Sequence, residues 1–270
     1  MEIKLIACDL DGTLLDSRGR LSPENLGAIR RMLEQGYCFV PTSGRDRAQI
    51  PQALRQLPGI RYLITLSGAC VIQQPEGKAL FRHPIPRTHA NRLLDTCRTH
   101  GAAMLLYTPE GILLEAGALE HRQDKALLED AIGTYRQVED ARAYCLDREI
   151  QVEKAVLFCR DAAQLQRLHQ ALDGDAFQLC SSAADSLEVT ARGIHKATGI
   201  RALLHRLELL PEQVLTVGDS GNDVPMLELT PNSFAVANAM PEAKCAARHL
   251  TVSNDQHVAV HIARLLGILP

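Results

Sequence analysis

Three short apolar runs in this chain stop abruptly at clusters of Gly, Ser, Thr and Asp. Lys4–Cys8 runs into Asp9-Leu10-Asp11-Gly12-Thr13. Tyr37–Val40 runs into Thr42-Ser43-Gly44-Arg45, and Val214–Val217 into Gly218-Asp219-Ser220-Gly221-Asn222-Asp223. Strands without polar alternation are covered on both faces, as parallel strands between layers of helices are. The intervening residues fit that frame. Ser22-Pro23-Glu24 opens a helix with an N-cap serine, a proline at the first helical position and an acid in the first turn. Leu26, Ile29 and Leu33 follow at helical spacing, and Gly36 stops the helix. A helix is expected over 47–57 and a strand over 62–66, ending at Ser67-Gly68-Ala69. Strand–helix–strand–helix–strand is the order of a right-handed parallel α/β unit.

The middle of the chain changes pattern. Residues 88–100, 121–135 and 162–172 have helical periodicity. Residues 104–107 and 112–115 flank a Thr-Pro-Glu-Gly turn as a hairpin, and 149–158 forms a further strand. The α/β pattern then resumes, with helices expected over 196–209, 225–229 and 258–266 and strands over 214–217, 233–237 and 251–253. A length of 270 residues allows one large domain or two modest ones. The pattern chooses a split core: residues 1–82 and 189–270 form the core, and residues 83–188 form an α+β insert.

Composition excludes several classes. With 46% hydrophobic and 23% charged residues the chain can bury a core, so neither a disordered tail nor a disulfide-stapled miniature is expected. No stretch approaches the roughly 18 apolar residues of a membrane span, and the carboxylate at Asp9 does not suit a secretory segment. Net charge is −3, without the basic stripe that nucleic acid requires. The expected setting is therefore cytoplasmic, with neither membrane nor nucleic acid as a partner. Eight cysteines lack C-x-x-C spacing, and several sit in apolar runs, as reduced core residues do. Aromatic residues are 4% and Trp is absent. That favours recognition by charge and hydrogen bonds over stacking on flat ligands.

Ligand sites of open α/β sheets lie outside the carboxyl ends of the strands. Three polar clusters end there, and with them Asp9, Asp11, Asp219 and Asp223. Four carboxylates repel one another unless a cation joins them, and hard oxygen ligands suit Mg2+. Thr42 and Ser43 offer a hydroxyl and amides for an anion. Lys196, opening the helix after the insert, can bring a positive charge to the same edge. Together these groups describe a phosphoryl-transfer site.

Asp9-Leu-Asp-Gly-Thr, Thr42-Ser-Gly-Arg, Lys196 and Gly218-Asp-Ser-Gly-Asn-Asp stand in the order of the four motifs of the haloacid dehalogenase superfamily. The long insert between the second and third resembles its class IIB, Cof-type cap. The resemblance covers essentially the whole chain and implies a Rossmann-like parallel-sheet α/β core with an inserted α+β cap domain. It implies a Mg2+-dependent phosphatase acting on a small phosphorylated metabolite, with sugar phosphates foremost, through an aspartyl-phosphate. Asp9 would be the nucleophile, and Asp11 the acid and then the base. Asp9, the Asp11 carbonyl, Asp219 and Asp223 would hold or support the metal. Thr42, Ser43 and Gly44 would hold the phosphoryl group, Lys196 would bridge it to Asp9, and Asn222 would orient Lys196 or touch the phosphate.

Some positions depart from the family pattern. Pro41 stands where a small residue is common, Ser67-Gly-Ala replaces Asn-Gly-Ala, and Ser253-Asn-Asp-Gln-His lacks a following Gly. Other residues have plainer readings. Cys8 is strand core, His195 is a border residue, and His257 with His261 lacks a third metal ligand. In the insert, Arg82, His83, Arg87, Arg122 and Arg142 can face substrate or simply solvent, and Lys154 occupies a position common in such caps. Two other functions stay open: a phosphomutase of the phosphomannomutase type, and a regulator that binds a phosphometabolite without turnover.

Overall fold

The computed structural model describes residues 2–120, 125–183 and 185–270. They form two compact units, Met1–Phe81 with His195–Pro270, and Arg82–Ile194. Among the described residues the strands are, in chain order, β1 Leu5–Asp9, β2 Cys38–Thr42, β3 Tyr62–Thr65, β4 Cys70–Gln73, β5 Lys78–Arg82, β6 Ala103–Thr108, β7 Gly111–Glu115, β8 Arg136–Val138, β9 Lys154–Phe158, β10 Phe177–Ala183, β11 Ser186–Ala191, β12 Val214–Gly218, β13 Asn232–Ala235 and β14 His249–Leu250.

The first unit is built on a sheet in the order β14-β13-β12-β1-β2-β3-β4-β5. β14 through β3 run parallel, and β4 turns back antiparallel to β3. Every residue of β1 is buried, as its uninterrupted apolar pattern requires. On one side Leu5 and Ala7 join Val40, Ile64, Ile200, Leu203 and Val214 in a single core cluster, and each large aliphatic buried there contributes about 1.5–3 kcal/mol. Register does the functional placing. Asp9 lies opposite Thr42 on β2, and Cys8 lies opposite Val217 on β12. The carboxyl ends of the three strands therefore finish side by side.

The helix Pro23–Glu34 starts as its sequence dictates, with the Ser22 side chain accepting from the Asn25 amide. The segment 47–57 does not form one helix. It gives a single turn at Arg47–Gln49 and a short helix at Gln52–Arg55. Pro51 forces Ile50 into an extended conformation and has no amide to continue a helix. β4 and β5 have no counterpart in the sequence reading. They follow a left-handed turn at Ser67 and Gly68 that sends the chain back along β3. The helix expected over 196–209 runs over Lys196–Leu207 and ends at the left-handed Glu208, and Leu210 beyond it is 55% exposed. The last edge strand is His249–Leu250 rather than 251–253.

The second unit carries a sheet in the order β10-β11-β9-β6-β7-β8. It is antiparallel apart from the β7–β8 pair. The β6–β7 hairpin forms over the Thr-Pro-Glu-Gly turn, where Thr108 Oγ1 donates to the Gly111 carbonyl at 2.7 Å. The strand expected over 149–158 is shortened to Lys154–Phe158. The helices Arg87–His100 and Ala162–Leu172 pack together. Asp161 caps the latter by accepting from the Gln164 amide at 2.7 Å. β11 pairs with β10 as far as Thr190 and Ala191. Residues 189–194 therefore stay with the insert, and the core resumes at His195 rather than 189. The helix expected over 121–135 is described from Lys125 to Ile132, and Arg122 lies outside the described residues.

All eight cysteines are free, and six are buried. Among the described residues no helix is long and apolar enough to cross a membrane.

Candidate active site

After Asp9 the chain makes a wide turn, closed by the Leu15 amide on the Leu10 carbonyl at 2.8 Å. Leu10 and Leu14 are fully buried and pin the turn down. Gly12 is required in it. Its φ is +78°, and a Cβ there would collide with the Asp219 carboxylate. Thr13 Oγ1 donates to Asp219 Oδ1 at 3.1 Å. The turn after β1 and the turn after β12 thus touch through Gly12, Thr13 and Asp219.

Lys196 lies between them. It is the first residue of its helix and is 1% exposed. Its Nζ donates to Asp9 Oδ1 at 2.6 Å and to Asp223 Oδ1 at 2.5 Å. The other oxygen of Asp223 accepts from the Asp219 and Ser220 amides at 2.9 and 3.1 Å. Burial opposes the lysine charge, but Asp223 and Asp9 outweigh it and hold the pKa above the usual lysine value. Burial pushes the Asp9 carboxyl well up, and the repulsion of Asp223 adds to this against the pull of Lys196. Burial and Asp223 raise Asp219 to about 6. Three carboxylates and one ammonium leave an excess of negative charge in a water-poor place.

The segment that delivers Lys196 is seated on the turn after β3. A Cβ on Gly68 would strike the carbonyl of His195. Gly68→Ala is expected to push this helix start outward and cost about 1–3 kcal/mol. A melting temperature equal to that of the wild type would contradict this close fit.

Asp11 is turned the other way. Its carboxylate accepts from Arg45 Nε at 2.8 Å and from Nη2 at 2.6 Å. Arg45 is fixed in turn by Nη1 on the Gln49 carbonyl at 2.9 Å and by its amide on Ser43 Oγ at 3.2 Å.

Residues 6–262 match the family model described as haloacid dehalogenase-like hydrolase. The chain belongs to the haloacid dehalogenase-like hydrolases. Over 255 residues it is 31% identical to an HMP-PP phosphatase of Escherichia fergusonii, covering 92% of this chain and 89% of that one. Phosphatase YwpJ of Bacillus subtilis is 27% identical over 288 residues, with 98% and 100% covered. A haloacid dehalogenase-like hydrolase from Bacteroides thetaiotaomicron superposes with a TM-score of 0.82 at 27% identity, covering 98% of this chain and all of that one. The relatives are named phosphatases, and this chain is a hydrolase of that kind.

In this haloacid dehalogenase-like hydrolase the donor set fits a hard dication. Asp9, Asp219 and Asp223 each offer a carboxylate oxygen within 4.8 Å of the others. The raised pKa values of Asp9 and Asp219 mark a site short of positive charge. The Asp11 side chain is not among them, because Arg45 holds it. Thr42 and Ser43 are buried, with the Thr42 hydroxyl on the Val40 carbonyl and the Ser43 amide on the Ile64 carbonyl. Ser43 therefore has its hydroxyl, not its amide, to offer an anion. The Asn222 side-chain oxygen accepts from Ser220 Oγ at 3.1 Å, while Asp9 and Asp223 accept from Lys196. Cys8 Sγ donates to the Asp9 carbonyl at 3.3 Å, and burial raises its pKa, so it stays a protonated core thiol. His257 Nδ1 pairs with Ser22 Oγ at 3.0 Å.

Two contacts escaped the sequence reading. Arg45 meets Asp11 only because β1 pairs with β2. Asn238 donates to the Gly12 carbonyl at 2.8 Å and accepts from the Asn254 amide at 2.9 Å, tying the end of the chain to the Asp9 turn. In the insert, Arg82 pairs with Glu153 at 2.8 Å, Arg87 with Glu149 at 3.0 Å, and Arg142 with Asp95. Lys154, 1% exposed, pairs with Glu188 at 2.7 Å beside the Tyr107 ring.

Proposed function

We propose that the chain is a Mg2+-dependent phosphatase of small phosphorylated metabolites that works through an aspartyl-phosphate on Asp9. The observation carrying this reading is the buried Lys196 ammonium shared by Asp9 and Asp223, with Asp219 alongside. That arrangement sets one carboxylate oxygen beside one fixed positive charge at the carboxyl end of β1. An Asp9 oxygen attacks phosphorus while the leaving oxygen takes a proton from Asp11. Water then attacks the same phosphorus, Asp11 takes its proton, and Asp9 is freed as a carboxylate. Lys196 neutralises charge on the phosphoryl oxygens as it develops. The Ser43 hydroxyl and the Gly44 region are the anion donors of the neighbouring turn. Asp9 and Asp219 would hold Mg2+, supported by Asp223, and the ion would supply the positive charge that keeps Asp9 ionised near a phosphate dianion.

The phosphatase names of the relatives agree with this reading, and sugar phosphates are the first substrate class to test, beside HMP-PP. The test is phosphate release over a metabolite panel with and without Mg2+. Mg2+-dependent release supports the reading. A hexose 1-phosphate returned as its 6-isomer with little free phosphate would point to a mutase. Binding without release would leave a sensor.

The metal also has a signature in stability. Asp219 is raised from the usual 3.8 to about 6. A raised folded-state value makes its contribution complete below about pH 4 and lost as pH rises through about 6. Without metal the site is therefore strained at pH 7.5 and relieved at pH 5. Mg2+ is expected to raise the melting temperature at pH 7.5 and by clearly less at pH 5, as protons compete for the same oxygens. Equal shifts at both pH values would refute this.

A further inference from the structure

We infer that Arg45 is a substrate-operated latch on Asp11, and that it selects phosphate esters whose leaving group carries a second anionic group. The inference rests on the reading of Asp11 as the acid and base of the phosphatase. In the structure both Asp11 oxygens accept from one guanidinium, at 2.8 and 2.6 Å. This parallel pair of charge-assisted bonds is the geometry in which a carboxylate is held most firmly in orientation. It turns both oxygens toward Arg45. Asp11 cannot reach a leaving oxygen until the pair opens.

The two partners differ in freedom. Arg45 is anchored on the Gln49 carbonyl and Ser43 Oγ. Its loop is closed by a capping box in which Asp46 accepts from the Ala48 amide at 2.8 Å and the Asp46 amide donates to Gln49 Oε1 at 2.7 Å. Asp11 sits on the turn after β1 with its side chain 55% exposed, against 24% for Arg45. The guanidinium is the fixed jaw and the carboxylate is the moving part. At this exposure solvent screens the pair, and a competing anion can exchange with Asp11 on the fork.

A carboxylate or second phosphoryl group close to the ester oxygen would take the place of Asp11 on the fork. Charge pairing is then kept, and Asp11 is released beside the leaving oxygen. A neutral leaving group must open the pair and puts no anion in the place of Asp11 on the fork. Discrimination therefore arises in the transition state, where Asp11 acts, as well as in binding.

The test compares 3-phosphoglycerate with glycerol 3-phosphate, and ethyl diphosphate with ethyl phosphate. p-Nitrophenyl phosphate, whose leaving group departs without a proton, serves as reference. The wild type is expected to favour the anionic member in kcat/KM by about tenfold or more. In Arg45→Gln that ratio is expected to fall to within about twofold, with kcat for the neutral ester rising relative to p-nitrophenyl phosphate. Arg45→Lys, which keeps the charge but loses the fork, retains part of the preference. Preference only within the diphosphate pair assigns the second anion to a phosphoryl group, and only within the glycerol pair to a carboxylate. A preference that survives in Arg45→Gln, or that is absent from the wild type, overturns the latch. If the wild type hydrolyses p-nitrophenyl phosphate without any preference, the latch alone fails. If it hydrolyses none of the esters with Mg2+, the phosphatase reading fails and takes the latch with it.

Discussion

Asp9→Asn is expected to lower phosphate release by roughly 10⁴-fold or more while the melting temperature without metal stays the same or rises. The two halves of that result have separate causes. Activity is lost because an amide oxygen does not attack phosphorus as a carboxylate does. Stability is kept because burial already opposes the Asp9 charge and Asp223 repels it, while Asp223 alone still pairs with Lys196 at 2.5 Å. The gain in melting temperature from Mg2+ should shrink in the same variant. Phosphate-release assays and thermal melts with and without Mg2+ check both halves. Retained turnover in Asp9→Asn removes the covalent route.

Lys196→Met is expected to behave in the opposite sense on stability. Methionine fills nearly the same volume, so packing changes little. The carboxylates of Asp9 and Asp223, each 5% exposed or less, then lose their common cation. Breaking a buried ion pair from one side costs about 3–5 kcal/mol, and metal-free protein at pH 7.5 should melt far below the wild type. The loss should recover in part at pH 5, where the raised Asp9 and Asp219 take up protons, and in part with Mg2+ at pH 7.5. Turnover should be lost under all these conditions. A variant that melts with the wild type at pH 7.5 without Mg2+ would mean that the lysine is not what holds these acids together.

The residues that carry the site were legible in the sequence to different depths. β1, β2 and β12 could be read directly, because a strand buried on both faces carries no alternation of polar and apolar residues. The clusters that end them mark the edge where a ligand binds. Lys196 was legible from its place at the start of the helix after the insert together with the order of the four motifs, since a lysine in a first helical turn is ordinarily solvated. Asn222 and Asp223 were not separable by spacing alone. Which of them meets Lys196 depends on the turn at Gly221–Asp223, where Asp223 folds back onto the Asp219 and Ser220 amides. Arg45 could not be paired with Asp11 from the chain at all, since 34 positions separate them and only the β1–β2 register joins them. Helix 47–57 failed for a local reason, because apolar spacing continued through Pro51 where the backbone could not. β4 and β5 failed because the reversal depends on Ser67 adopting a left-handed conformation that its residue type does not announce.

The close seating of Gly68 on His195 has a consequence for how such a chain can diversify. The point at which the chain re-enters the core after its long excursion is fixed by contacts of the core with itself: the fit at Gly68, the His195 carbonyl accepting from the Thr198 amide at 2.8 Å, and the two carboxylates on Lys196. None of these belongs to residues 82–194. The excursion can therefore be shortened, exchanged or drift in sequence while the lysine returns to the same place. Recombination can trial new inserts on an unchanged reaction centre, and the selective burden of keeping that centre falls on a few residues at the splice.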